Sequence, residues 1–290
     1  MVEHKTDKKK NLPGDFTELL EEKLSKKELD ILRSSHDVLG NIAVIEIPDE
    51  LESREKEIGE ALLNFYPNVR AVFKKAGPVE TEFRVLPLKK IAGIGGTEVE
   101  YKESGCRFKF DFSKVFFTQR LGTERLRIAK KVKPNETIVD MFAGVGPFSI
   151  IIAKKNPEIK KIYAIDLNPD AFKYLKENIK LNNVEEKIEA VQGDAVKLSK
   201  KHKEKADRVI MNLPKTSKNF FPAARRFLQE KGGILHFYTF AETKGEVKEE
   251  IQSSIRSNNY KILEIRKVRP YSPGYYNFAA DIQIGKVNKQ

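Results

Sequence analysis

Along the chain, apolar and polar positions recur with two different periods. Between Asp15 and Arg33, Phe16, Leu19, Leu20, Leu24, Leu29 and Leu32 recur near helical spacing, which predicts one helix. Asp37–Pro48 reads as two strands around a Gly40-Asn41 turn. Leu51–Phe65 reads as a helix and Val69–Lys74 as a short strand. Arg84–Leu88, Thr97–Tyr101 and Arg107–Phe112 read as further strands, punctuated by Gly93, Gly95, Gly96 and Gly105. Residues 13–112 are therefore expected to form a small α+β domain.

From 113 to 290 the pattern changes. Lys114–Lys131 is expected to run extended into a helix from Thr123. Strands at Thr137–Met141, Ile162–Ile165, Ile188–Val191, Asp207–Met211 and Gly233–Phe240 then alternate with helices at Pro147–Lys154, Pro169–Leu181, Ala223–Leu228 and Thr243–Asn258. Such alternation predicts a mostly parallel sheet covered on both faces. Lys261–Val268 and Phe278–Ile284 close the chain with only Arg269–Asn277 between them. That is too short for a helical crossover, so this pair is expected to be antiparallel.

Composition narrows the class. No apolar run approaches the roughly 18 residues of a membrane span. Met1–Asn11 is polar and lysine-rich with no apolar run behind it, so residues 1–12 read as a disordered basic tail and not as a signal peptide. The single cysteine, Cys106, excludes an intrachain disulfide and a cysteine-rich metal site, and it fits a reducing cytoplasm. A net charge of +12 favours a polyanionic partner, nucleic acid before others. The same abundance of Lys and Glu also suits a surface rich in ion pairs.

Candidate chemistry concentrates at the predicted strand ends. Val139-Asp140 runs into Gly144-Val145-Gly146-Pro147, a strand–glycine turn–helix junction where open parallel sheets bind ligands. A dinucleotide loop wants a third glycine, and Ser149 stands there instead. Asp140 would repel a pyrophosphate, which disfavours a dinucleotide oxidoreductase. It suits the ammonium and sulfonium of S-adenosylmethionine. Asp166, closing the next strand before Leu167, is placed to accept from ribose hydroxyls. Asp194, in Gln192-Gly193-Asp194-Ala195, is placed to accept from an adenine amino group while the Ala195 N–H faces a ring nitrogen. A strand-end aspartate alone often only caps a helix; three at successive strands form one constellation. The fourth strand ends in Asn212-Leu213-Pro214-Lys215, where methyltransferases acting on planar nitrogens often carry Asn/Asp-Pro-Pro-aromatic. Asn212 offers a carbonyl to a base N–H, and Pro214 stiffens the turn. Lys215 replaces the final aromatic, which disfavours simple stacking of an adenine there.

Several of these motifs in order, with Phe117-Thr118-Gln119-Arg120-Leu121-Gly122-Thr123-Glu124-Arg125-Leu126-Arg127 and Tyr271-Ser272-Pro273-Gly274, resemble the archaeal and eukaryotic tRNA (guanine-37-N1)-methyltransferases. The match runs from about His36 to Asp281. The resemblance implies a Rossmann-type class I domain over 113–290, a mostly parallel seven-stranded sheet with an antiparallel last strand. It implies S-adenosylmethionine as cofactor, held by Arg125, Asp140, Gly144, Gly146, Asp166, Leu167, Asp194, Ala195 and Asn212. It makes Glu124 the base that takes the guanine N1 proton, Arg84 the cation beside guanine O6, and Asn212 with Pro214 the holders of the base edge. The expected partner is the anticodon stem-loop of tRNA, met by a cytoplasmic monomer away from membranes. Arg120, Lys215, Lys218 and Arg269 are candidate phosphate contacts, and Tyr271 a stacking surface. The additional amino-terminal domain that touches the tRNA elbow in many family members is expected to be absent. Arg120, Glu124 and Asn212 favour methyl transfer over the aminocarboxypropyl transfer of the sister wybutosine enzymes. Methylation of a wyosine intermediate stays open, as does an RNA-binding protein with a relic cofactor loop. No metal site is expected.

Overall fold

The computed structural model describes residues 14–32, 34–77, 85, 87–202, 205–255 and 259–286. The basic tail and Arg84 lie outside them. The described residues divide into two compact units: those up to 77 with 87–99, and those from 100 onward with Val85.

The first unit carries β1 (His36–Leu39), β2 (Ile42–Ile45), β3 (Ala71–Lys75) and β4 (Leu88–Gly93) as one sheet in that order. Only the β2–β3 pair is parallel. Two helices accompany the sheet, α1 (Lys26–Ile31) and α2 (Glu55–Phe65). Gly59 on α2 lies so close to Ile91 and Ala92 of β4 that a Cβ there would meet the Ala92 methyl at 2.9 Å. The single helix predicted from Asp15 to Arg33 is instead a 3-10 turn (Phe16–Leu20) followed by α1. Ser25 explains the break. Its side chain caps α1 and Glu28 reaches back to its amide, a reciprocal cap that starts a new helix there.

The second unit begins with a hairpin, β5 (Glu98–Glu103) and β6 (Cys106–Asp111), which the pattern of apolar positions assigns to the first domain. The division therefore falls near 99 and not near 112. The physical reason lies in two buried amides of a later helix. Asn182 accepts from the Arg107 amide at 2.9 Å and donates to the Arg107 carbonyl at 2.7 Å; Asn178 accepts from the Lys109 amide at 2.7 Å. An outer edge of β6 that bare periodicity leaves open is thereby tied to the second unit.

There follow α3 (Gly122–Lys131), β7 (Thr137–Asp140), α4 (Pro147–Lys155), β8 (Lys161–Asp166), α5 (Pro169–Leu181), β9 (Ile188–Gln192), α6 (Ala195–Lys201), β10 (Arg208–Met211), α7 (Phe221–Phe227), β11 (Gly233–Ala241), α8 (Lys244–Ser254), β12 (Tyr260–Ser272) and β13 (Tyr275–Ile284). Periodicity missed α6, a short lysine-rich helix with little apolar face. The seven strands are ordered β12-β13-β11-β10-β7-β8-β9. The inner strands are parallel, and β13 is antiparallel to both β11 and β12, as the short connection required. That connection is shorter still, because both strands extend to a turn at Pro273-Gly274. The chain leaves β7 outward through β8 and β9, then returns to β10 on β7's other side. The crevice beyond the carboxyl ends of β7 and β10 is therefore the topological switch point, where sheets of this kind bind ligands.

Candidate functional site

The loop after β7 is built for a close approach. Gly144 and Gly146 both have left-handed backbones, φ +56° and +92°. At Gly146 a Cβ would meet Leu175 at 2.6 Å, so only glycine fits between the loop and α5. Gly146 also opens α4 with Pro147 in the first turn and no side-chain cap.

Asp140, at the end of β7, is 1% exposed. Its Oδ2 accepts from the Ser149 hydroxyl at 2.8 Å, while Oδ1 has no partner among the described residues. Burial, with the nearby Asp166 charge, pushes its carboxyl up to about 7, against the pull of the Ser149 hydroxyl and the Phe142 amide. Ser149 is thus more than a missing glycine: it holds Asp140 in place. Asp166, at the end of β8, accepts from the Gly144 amide at 2.6 Å and the Asn168 amide at 2.9 Å. Burial raises its carboxyl, although these backbone donors work in the opposite direction. Leu167 beside it is 47% exposed, an apolar surface at the crevice. Asp194 caps α6, its Oδ1 accepting from the Val196 and Lys197 amides at 2.7 and 3.2 Å. The capping role weighed for such an aspartate is therefore real here, and Oδ2 is the oxygen those bonds leave over. Ala195 is buried beside it.

Beyond β10, Asn212 has a buried Oδ1 with no partner among the described residues. Its backbone is fixed by a tight turn, the Leu213 amide donating back to the Met211 carbonyl at 3.0 Å, and the Ser217 hydroxyl reaches that same carbonyl at 2.9 Å. Pro214 lies in this turn. Ser217 is a positioning residue that nothing in the sequence pattern singled out.

Glu124 and Arg125 are both buried. Arg125 is 2% exposed, and its guanidinium donates to Glu103 at 2.5 Å and to the Thr118 carbonyl at 2.6 Å, over the Phe117 ring. These bonds tie α3 to β5 and to the approach to α3, and they leave Nε buried without a partner among the described residues. Glu124, also 2% exposed, accepts four hydrogen bonds. Arg127 and Tyr238 donate to Oε1 at 2.7 and 2.8 Å, and Arg127 and Arg266 to Oε2 at 2.9 and 2.8 Å. Tyr238 is fully buried, and burial beside Glu124 keeps its phenol protonated as a donor. Arg84 lies outside the described residues. Among the described residues no group of three His, Cys, Asp or Glu gathers to hold a metal, and no helix is long and apolar enough to cross a membrane.

The donor set can be tested against S-adenosylmethionine. A cation needs an unsatisfied buried acceptor, and Asp140 Oδ1 is one. A nucleoside needs a close-approach loop, an acid at the second strand end and an apolar surface, which Gly144, Asp166 and Leu167 supply.

Comparison with known proteins bears on the same region. Residues 99–263 match the family model of the TRM5/TYW2 methyltransferase domain, and residues 16–96 that of the TYW2 N-terminal domain. The chain is 43% identical to the tRNA (guanine(37)-N(1))-methyltransferase Trm5b of Pyrococcus abyssi, over 87% of this chain and 76% of that protein. It is 40% identical to the Trm5b of Methanocaldococcus jannaschii, over 99% and 82%. The tRNA 4-demethylwyosine(37)-methyltransferase Taw21 of Saccharolobus solfataricus is 36% identical over 85% of this chain and 92% of its own. Among solved structures, aTrm5 in complex with tRNALeu superposes with a TM-score of 0.84 at 39% identity, covering 98% of this chain and 82% of that one. M. jannaschii TYW2 in complex with AdoMet gives 0.65 at 28% identity, covering 87% and 100%.

Proposed function

The chain belongs to the TRM5/TYW2 methyltransferase family, and from that membership we propose that it methylates N1 of guanine 37 in tRNA, with S-adenosylmethionine as donor. The observation that carries this reading is a pair of buried, unpartnered acceptors, Asp140 Oδ1 and Asn212 Oδ1. They stand at the carboxyl ends of neighbouring strands, Asp140 closing β7 and Asn212 just after β10, at the switch point of the sheet. One suits a cation and the other a base N–H.

When bound, the cofactor supplies an electrophilic methyl group. Asp140 would hold its ammonium, Asp166 its ribose, Leu167 and the Asp194–Ala195 turn its adenine, with Gly144 and Gly146 giving the room. Guanine N1 carries a proton at neutral pH, so its lone pair is unavailable until a base removes it. Glu124 takes that proton as the N1–methyl bond forms and the methyl–sulfur bond breaks. Negative charge then builds on guanine O6, where Arg84 is the cation the resemblance supplies. Asn212 accepts from the guanine edge, and Pro214 and Ser217 fix where its side chain points. Alignment of N1 with the methyl group supplies much of the rate.

Glu124→Gln tests the assignment. Single-turnover methylation of a tRNA transcript is expected to fall at least about a hundredfold, the usual contribution of a positioned base. A variant that transfers at the wild-type rate at every pH would remove Glu124 from the chemistry. Near-complete coverage of Taw21 favours one second reading, methylation of a wyosine intermediate at the same nucleotide. Mass spectrometry of nucleosides from tRNA with and without that intermediate distinguishes the two substrates.

A further inference from the structure

A carboxylate offers about four lone-pair directions. In this structure all four of Glu124's are taken: two by Arg127, one by Tyr238 and one by Arg266. Resting on the reading that Glu124 is the base, this creates a requirement. The carboxylate cannot accept a proton from guanine N1 until one donor leaves.

The donors are not equally free to go. Arg127 on α3 grips Glu124 with two bonds and is held on its far side by Asp281 of β13 at 2.6 and 3.1 Å and by Glu264 of β12 at 3.4 Å. Its side chain is only 14% exposed. Tyr238 on β11 is fully buried and has no path out. The remaining donors in the cluster, the Lys131 ammonium on α3 and the His236 imidazole on β11, bind Asp281 and do not touch Glu124. Arg266 is the donor freest to leave. It makes one bond to Glu124, its side chain is 32% exposed, and it belongs to β12, the edge strand of the sheet. Lys267 and Arg269 follow it within three positions on the same strand.

We propose that Arg266 is a substrate-released latch: an RNA phosphate arriving along β12 draws its guanidinium off Glu124 and so opens Oε2 to the guanine N1 proton. The exchange trades one carboxylate partner for a phosphate that the guanidinium binds in the same forked geometry. It also couples base activation to correct seating of the RNA. A phosphate on the edge strand frees the base, whereas the enzyme without RNA keeps its carboxylate closed. Arg266 acts through Glu124 and is a positioning residue.

The test is a double-mutant cycle between Arg266 and the RNA backbone. Single-turnover methylation is measured at saturating enzyme on anticodon stem-loops in which one phosphate at a time near guanine 37 is replaced by a neutral methylphosphonate. For the wild-type protein, neutralising one particular linkage is expected to slow transfer about tenfold, the scale of a charge-assisted hydrogen bond. In Arg266→Ala the same linkage is expected to matter by less than about twofold, because the latch is already gone. Equal sensitivity of both proteins at every linkage, or a wild-type protein indifferent to all of them, overturns the latch. Glu124→Gln is run alongside. If it transfers normally, the base assignment fails; if it is impaired while the linkages act alike on both proteins, only the latch fails. Arg266→Gln, which keeps a polar side chain but is shorter and uncharged, repeats the cycle should the alanine variant melt early.

Discussion

Asp140 pays for its position with an unfavourable charge state in the absence of a cation. A buried carboxyl raised to about 7 disfavours ionisation of the folded protein relative to the unfolded chain. The sign follows from the direction of the shift. The folded state binds the extra proton between the unfolded value near 4 and the folded value near 7, so the stability this proton lends is full at low pH and lost as pH rises through about 7. Asp140→Asn is therefore expected to be more stable than the wild-type protein at pH 8, by up to about 4 kcal/mol. The gain should grow between about pH 4 and about pH 7 and then level off. Urea midpoints across that range check it, and a gain independent of pH would refute the assignment of charge. The same substitution should weaken S-adenosylmethionine binding by more than about tenfold, as loss of a charged partner does. The sequence made Asp140 legible through its place before two glycines. It could not show that Ser149, nine residues on, is the hydroxyl that holds it.

At the scale of elements, α3 is fastened to the sheet by charge as much as by apolar contact. Asp281 on β13 accepts from Arg127 and Lys131 of α3 and from His236 of β11 at 2.6 Å. Arg208 donates to His236 Nε2 at 2.8 Å, so the histidine is neutral and gives its Nδ1 proton to Asp281. Burial works against the Asp281 charge, but these donors outweigh it and hold its carboxyl well below the usual range. Its stabilising effect is present above about pH 4 and fades as pH falls through the lower folded value. Asp281→Asn leaves two cations with a weakened partner and is expected to destabilise the second unit by about 3 kcal/mol at neutral pH. Thermal melts should show that gap closing in acid. A gap that stays constant to about pH 3 would mean the loss is one of packing. Strand alternation announced β11 and β13, and the short connection announced their antiparallel neighbour. The pairing of His236 with Asp281 was not legible, because 45 residues separate them and only the register of β11 against β13 sets them side by side.

For the molecule as a whole, the net charge of +12 bears on how the proposed RNA is held. If phosphate contacts dominate, the affinity for an anticodon stem-loop should fall at least tenfold between about 50 and 200 mM salt, with a log–log slope near −0.7 to −0.9 per phosphate neutralised. Filter binding or fluorescence anisotropy across that range measures it. A flat response would assign the lysine excess to ion pairs of the kind Lys74 and Lys89 make with Glu55.

The sequence by itself determined the alternation of strands and helices in the second unit apart from α6, the glycine loop, and the acids at Asp140, Asp166 and Asp194. Each of these is a local pattern: a period, a turn chemistry, a residue type next to a breaker. Tertiary structure alone decided what those residues meet. It moved the hairpin of β5 and β6 to the second unit through Asn178 and Asn182, turned Arg125 inward to Glu103, and brought Tyr238 and Arg266 onto Glu124. The last of these partners lies 142 residues from Glu124 along the chain. No window of sequence reaches that far, and only the folded sheet brings an edge-strand arginine onto a helix carboxylate.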